Sequence, residues 1–370
     1  MREIGCSEAE ILTFLARQQG EDLPFERILS SMCTRPHPVA VKAHMLFIHT
    51  NLGDPGLYKG TAALERMLIE RIGDLLHFRD ACGYATSGGT ESNIQALRIA
   101  QRVKKVKKPN VIVPESVHFS FEKACEMLCI EMREIPLDAG FRADAAAIPS
   151  LIDRNTIALV AVAGTTEYGV VDPIPEMDAI AGEHDLYFHV DAAFGGLVLP
   201  FLEDHTPFDF SLPNVSSMSV DPHKMGMSTI PTGCLLIREP RHLSLLNICT
   251  PYLSVKQEFT LTGTRPGGSV AGALAVLDHL GRQGMRAIVQ GCMKNTRRLI
   301  AGMRTYGYPA AVMPEVNVAT FFCRNAPADW QVSRTRKRHL RIVCMPHVHR
   351  GIIEAFLSDV GTLPSPQRDA

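Results

Sequence analysis

No apolar run in this 370-residue chain approaches the ~18 residues that a membrane-spanning helix requires. Charge of either sign is not in excess: 38 Lys and Arg stand against 39 Asp and Glu, a net charge of −1. The first absence excludes a transmembrane helix. The second argues against nucleic acid or a membrane surface as the main partner. The ten cysteines form no Cys-x-x-Cys pair, and Cys125 and Cys129 lie one helical turn apart. With no signal peptide, reduced and buried thiols in a cytoplasmic protein are expected. There is no Walker loop and no Gly-x-Gly-x-x-Gly, which disfavours a nucleotide. No internal repeat or low-complexity segment is visible.

What is present is a composition of 46% apolar residues, enough for a large core and two lobes. Ser7-Glu-Ala-Glu10 is a capping box, with Ile11, Leu12 and Leu15 on one face behind it, and opens an N-terminal helix. Residues 39–49 and 61–76 read as helices, separated by the turn cluster Asn51-Leu-Gly-Asp-Pro-Gly56. From about residue 80 to 240, apolar strands are expected at 111–113, 157–163, 186–190, 215–220 and 234–237, with helices such as 176–184 between them. That alternation specifies an α/β fold with a mainly parallel sheet covered on both faces. After Gly267-Gly268, helices at 269–280 and 285–306, strands at 316–323 and 340–345 and a helix at 351–360 make a smaller α+β C-terminal domain. The expected division is an N-terminal helical segment at 1–50, a large domain at 51–265 and a small domain at 266–370. The basic cluster Arg102, Lys104, Lys105, Lys107 and Lys108 reads as a solvated helix end, and residues 363–370 as a frayed terminus.

Ser219-Val-Asp-Pro-His223-Lys224-Met-Gly226 places a lysine on the turn past a strand's C-terminal end, the edge where open α/β sheets bind ligands. Desolvation there would lower the amine's pKa and suit it to Schiff-base chemistry. Thr86-Ser-Gly-Gly-Thr90-Glu-Ser-Asn93 precedes a helix, and glycines, a capping Thr90 and helix amides suit an anion such as phosphate. His189-Val-Asp191-Ala-Ala193 brings a carboxylate to the same sheet edge, a suitable partner for a pyridinium nitrogen, with small residues that leave room for a flat ring. His189 shares the strand face of Asp191, but no third ligand is spaced nearby, so no metal is expected. His118 follows a strand and is placed to stack on a ring or move protons. Thr165-Thr166 ends another strand with hydroxyls for a phenolic oxygen.

Ser87-Gly-Gly-Thr-Glu-Ser-Asn93, His118-Phe-Ser-Phe-Glu-Lys123, Gly164-Thr-Thr-Glu167, His189-Val-Asp-Ala-Ala-Phe-Gly-Gly196 and Asp221-Pro-His-Lys224 together resemble the group II pyridoxal-phosphate decarboxylases in order and spacing. Asn51-Leu-Gly-Asp-Pro-Gly-Leu-Tyr-Lys-Gly60 and Leu340-Arg-Ile-Val-Cys-Met-Pro-His347 are similar to the archaeal L-tyrosine/L-aspartate decarboxylases of methanofuran and coenzyme A biosynthesis. The resemblance covers nearly the whole chain. It implies the pyridoxal-phosphate-dependent transferase-like fold (fold type I), pyridoxal 5′-phosphate as cofactor, an amino-acid substrate and a homodimer with the site at the interface. Carried over by position, Lys224 is the Schiff-base lysine and Asp191 the pyridinium partner. His118 stacks on the ring, and Gly89, Thr90 and His223 hold the phosphate. Thr165 sits by the phenolic oxygen, Ala193 packs under the ring and Arg341 binds the substrate carboxylate. Thr264-Arg265 reaches toward a neighbour's phosphate.

Two departures from the family pattern stand out. Many relatives carry a long loop after the lysine, with a proton-donating tyrosine. Here the interval from Thr250 to Gly263 is short and Tyr252 is its only tyrosine, leaving Lys224 or His118 as proton donors. The stretch from Cys323 to Arg341 is also shorter than in relatives. Rival readings are an aminotransferase, a cysteine desulfurase using Cys249, or a non-catalytic cofactor-binding homologue. For substrate choice, an aspartate needs a second cation, with Lys59 or Arg265 as candidates, whereas tyrosine needs an apolar wall such as Phe47, Leu57 and Tyr58.

Overall fold

A computed structural model describes residues 1–323 and 325–363; the expected C-terminal fraying falls on 364–370, outside the described residues. The chain opens as expected. Ser7 accepts from the Glu10 amide at 3.3 Å while Glu10 accepts from the Ser7 amide at 2.8 Å, closing the capping box of α1 (Glu8–Gln19). Yet α1 buries none of its residues, so the apolar stripe of Ile11, Leu12 and Leu15 lies in the open. Helix α2 (Pro38–Phe47) begins on a proline, whose missing N–H costs nothing at that position. Helix α3 (Lys59–Leu75) follows the Asn51–Gly56 turn cluster.

The body alternates β1 (Cys82–Thr86), α4 (Gly89–Lys104), β2 (Asn110–Pro114), α5 (Ser120–Leu128), β3 (Glu131–Ile135), α6 (Ile148–Leu151), β4 (Thr156–Val162), α7 (Ile174–Glu183), β5 (Tyr187–Asp191), β6 (Val215–Val220) and β7 (Gly233–Ile237). These strands form one seven-stranded sheet in the order β1-β7-β6-β5-β4-β2-β3, with β7 antiparallel to both its neighbours and the other pairings parallel. Five expected strands are present. The two not expected, β1 and β3, lie at the sheet's edges. The sequence of β3, Glu-Met-Arg-Glu-Ile, is largely solvated, so it carries no apolar signal. In β1, Tyr84 is the one large apolar side chain among Cys82, Gly83, Ala85 and Thr86, so the strand carries little apolar signal either. The core strands β2, β4 and β5 are buried throughout, because helices cover both faces. The basic cluster is a helix end as expected: α4 stops at Lys105 in the left-handed region, and Lys104 pairs with Asp185 at 2.6 Å.

Beyond α8 (Pro240–Ser244) and the short hairpin β8 (Ile248–Cys249) and β9 (Gln257–Glu258), α9 (Gly267–Thr305) runs from one lobe into the other. It kinks at Gly281, whose φ of 59° and ψ of −173° interrupt the helix, so the two expected helices are continuous in space but bent. Strands β10 (Val318–Phe321), β11 (Ser333–Arg334) and β12 (Leu340–Val343) form an antiparallel sheet backed by α10 (Arg350–Val360). The large core includes Val289 and Met293 of α9, whereas Leu299 and Met303 belong to the small lobe's core with Phe321, Leu340 and Phe356. The core therefore changes lobes inside α9. Leu29 also joins the small lobe, its carbonyl accepting from Val343 at 2.8 Å, while Ala40 joins the large core. Five cysteines are buried, but Cys6, Cys129 and Cys249 are exposed, so the expectation of uniformly buried thiols is corrected. Among the described residues no helix is long and apolar enough to cross a membrane.

Candidate active site

The C-terminal ends of β4, β5 and β6 and the N-terminus of α4 meet at a cavity of about 310 Å³ lined by Gly88, Gly89, Thr90, His118, Asp191, Ala193, His223 and Lys224, among others. Such a volume lies at the small end of ligand pockets, ~300–1,000 Å³. The chain leaves β6 at Val220, turns through Asp221–Gly226 and returns as the antiparallel β7, so the lysine turn is pinned at both ends.

Lys224 Nζ lies 3.1 Å from Asp221 Oδ2, and its side chain is 19% exposed. Burial would depress its pKa, as expected from sequence. Asp221 and Asp191 outweigh burial, however, and hold the ammonium above its ordinary range. The expected depression is thus corrected for the chain by itself: the neighbouring carboxylates win. Asp191 is 6% exposed. Burial would raise its carboxyl, but Lys224, His118, His189 and the Ala193 amide carry it below the usual carboxylate range. Its Oδ1 accepts from Ser219 Oγ at 2.9 Å and the Ala193 amide at 3.1 Å, and its Oδ2 accepts from Asn93 Nδ2 at 2.8 Å.

The anion cup is built on Gly88, whose φ of 151° suits glycine; a Cβ there would meet His223 Cε1 at 3.1 Å. Thr90 does not cap α4, contrary to expectation. The helix starts at Gly89, and Glu91 instead accepts from the Ser87 amide at 2.8 Å, which leaves Thr90 to line the cavity. His118 stands beside the cavity with Nδ1 3.0 Å from Ser120 Oγ, and burial holds its imidazole below the ordinary range.

Thr165 is fully buried and its hydroxyl accepts from the Val170 amide at 3.3 Å; Thr166 is the member of the pair that lines the cavity. Arg341 comes up from β12 behind Thr166. It donates to the Thr166 carbonyl, to Ser30 O at 3.1 Å and to Ser333 Oγ at 2.8 Å, while its Nη2 is buried without a partner. Burial lowers this guanidinium to about 10, against the Glu167 charge. Arg265, a candidate cation in the sequence, is instead buried in an ion pair with Glu65 and donates to Ala85 O and Leu52 O at 3.1 Å. It is a structural tie. Lys59 is exposed at the start of α3 and does not line the cavity; neither does Cys249, exposed on β8. His189 faces Ser217 and Asn93 rather than a ligand.

Sequence reasoning gave no role to Asn93, Ser219 or Ser120. The available signal was that Asn93 lies one helical turn past Gly89, a polar residue facing the sheet from an otherwise apolar helix side. The residues present fit a flat, phosphorylated pyridine. They offer an amine at Lys224, a glycine-lined helix N-terminus for the phosphate, and a carboxylate at Asp191 held ionised. Asp221 Oδ1 is buried without a partner in this cup.

The family model for the "Pyridoxal-dependent decarboxylase conserved domain" matches residues 48–321. A "Probable L-tyrosine/L-aspartate decarboxylase" from Methanoculleus marisnigri is 63% identical, covering 98% of this chain and 99% of the relative. A "Probable L-aspartate decarboxylase" from Archaeoglobus fulgidus is 47% identical, covering 95% and 98%. Among solved structures, a Lactobacillus brevis glutamate decarboxylase superposes with a TM-score of 0.90 at 20% identity, covering 98% of this chain and 93% of that one. A Burkholderia pseudomallei sphingosine-1-phosphate lyase does so with 0.88 at 26%, covering 98% and 91%. The architecture is fold type I, and the cofactor is pyridoxal phosphate. The chain belongs to the pyridoxal-dependent decarboxylase family, whose members are carboxy-lyases.

Proposed function

We propose that this protein decarboxylates L-tyrosine and L-aspartate, releasing tyramine or β-alanine with CO₂. The observation that carries this is the convergence of Lys224, Asp221, Asp191 and the α4 N-terminus on one cavity, in a chain 63% identical to a relative named for those substrates. Incubating purified protein with pyridoxal phosphate and each amino acid in turn, and measuring the amine formed, tests it.

Bound pyridoxal phosphate supplies an electron sink for the pair left when the carboxylate departs. Gly89, Thr90 and His223 would hold its phosphate, Ala193 its ring face, and Thr166, rather than the buried Thr165, its phenolic side. Asp191, ionised and fixed by three donors, would keep a proton on the ring nitrogen. Lys224 Nζ is the nucleophile and a proton carrier, its ammonium stabilised by Asp221; the His118 imidazole is the second proton carrier at the cavity. Arg341 Nη2 is the unpaired donor for a substrate carboxylate, since a buried guanidinium gains most from a bidentate anion. Arg341 itself does not line the cavity; it stands behind Thr166, which does, and would reach a carboxylate only past that residue.

For substrate choice, Lys224 and the histidines are the basic side chains among the described residues lining the cavity, and Arg265 is committed to Glu65. A phenol needs no further charge. The second carboxylate of aspartate does, and exposed Lys59 would supply it from a neighbouring copy. Lys59→Met should then cost aspartate about 2–5 kcal/mol in kcat/KM and tyrosine little. Equal losses would remove Lys59 from substrate choice.

A homodimer is part of the same reading. It is supported by the half-exposed apolar stripe of α1 and by Met45, Leu46 and Ile48 at 60–73% exposure on and after α2, faces that water alone would not favour. Analytical ultracentrifugation should find two chains per active particle; an active monomer would refute it. The cytoplasm is the proposed compartment, in keeping with ten free thiols.

A further inference from the structure

Asn93 is 1% exposed and touches three polar groups. Their chemistry dictates how its amide is turned. Asp191 Oδ2, 2.8 Å away, belongs to an ionised carboxylate and only accepts, so Asn93 Nδ2 must face it. The second Nδ2 hydrogen then goes to Ser120 Oγ at 3.0 Å. Oδ1 is left facing His189 Nε2 at 3.0 Å, and an amide oxygen cannot donate, so Nε2 carries the proton. His189 is fully buried, and burial keeps its imidazole below the ordinary range and hence neutral. Its Nδ1 is therefore a lone pair, and Ser217 Oγ donates to it at 2.8 Å. On the other arm, Ser120 Oγ receives the Asn93 hydrogen and gives its own to His118 Nδ1 at 3.0 Å. The Ser120 amide points at the same nitrogen at 3.3 Å. Two donors on Nδ1 leave neutral His118 with its proton on Nε2.

We propose that Asn93 is a positioning residue for the reaction: it fixes the Nε2–H tautomer of His118 and holds the Asp191 carboxylate ionised, so that the two groups are set by one amide. The kinetic part rests on the decarboxylase reading; the tautomer part stands without it. Removing the amide takes one of three donors from Asp191, which raises its pKa and moves the acid limb of kcat to higher pH. The charged or titratable groups facing Asp191 in that titration are Lys224, His118 and His189.

The test uses holoenzyme labelled with ¹⁵N-histidine, with long-range ¹⁵N–¹H correlations reading each tautomer. Wild type should show Nε2–H at both His118 and His189. Asn93→Ala should mix the His118 tautomers, lower kcat about 10- to 100-fold, as loss of one hydrogen bond to a charged group predicts, and shift the acid limb upward. KM should stay within about threefold, since the lost contact acts on the reacting state. Ser120→Ala, which keeps the backbone amide on Nδ1, should loosen the hold on the His118 tautomer but leave the acid limb in place. Nδ1–H on His118 in wild type overturns the proposal even if Asn93→Ala fails to fold. So does an Asn93→Ala enzyme with wild-type tautomer, kcat and acid limb. Correct tautomers in a protein that releases no amine would fail the decarboxylase reading and leave the assignment of the hydrogen bonds standing.

Discussion

Asp191→Asn should retain cofactor and fold but lose about 10³-fold in kcat, the order lost when a preorganised group facing developing charge is removed. The substitution is isosteric. The Ser219 hydroxyl can still donate to an amide oxygen, and the cup at Gly88 and His223 is untouched. What disappears is the negative charge that keeps a proton on the ring nitrogen, together with the acceptor for Asn93 Nδ2, which would face the new amide NH2. In the cofactor-free variant the half-buried ammonium of Lys224 also loses one of its two carboxylates, so its pKa should fall. Cofactor content measured by absorbance separates this electronic loss from simple failure to bind. Undiminished turnover in the variant would rule out the electronic role of Asp191.

Lys224→Arg should be the most damaging single change, abolishing turnover by on the order of 10⁴-fold or more, because nucleophile and proton carrier go together. Arginine keeps a cation facing Asp221 and does not deprotonate, so the fold should survive while the amine chemistry stops. Lys224→Met, by contrast, leaves Asp221 buried at 2% exposure without its 3.1 Å partner. It should therefore cost about 3–5 kcal/mol of stability in addition. Thermal unfolding of the two variants distinguishes the roles: similar inactivity, with a lower Tm for Lys224→Met.

The fold was legible where burial made the pattern strong. Strands β2, β4, β5 and β7 announce themselves as short, largely apolar runs, and β6 as apolar residues interleaved with small polar ones, because each is covered by other strands or helices. The edge strand β3 did not, because only one of its five residues is buried and its pairing comes from β2 alone. In the site, residue types and order pointed to Lys224, Asp191 and the glycine cup, which the fold brings to one cavity. Three features were beyond the sequence. That Arg265 is spent on Glu65 depends on α3 crossing beneath it, a contact 200 residues apart in the chain. That Thr166 rather than Thr165 faces the cavity depends on the turn at Gly169–Val170 folding back onto Thr165. The lysine's raised pKa is a balance between burial and two carboxylates, and distances decide it.

The most direct test of the central claim is borohydride reduction of the purified holoenzyme followed by peptide mapping. The bound cofactor should absorb near ~420 nm through its linkage to a protein amine. Reduction should bleach that band and leave one pyridoxyl group per chain, on the peptide containing Lys224. A label on any other lysine, or none at all with cofactor bound, would contradict the account.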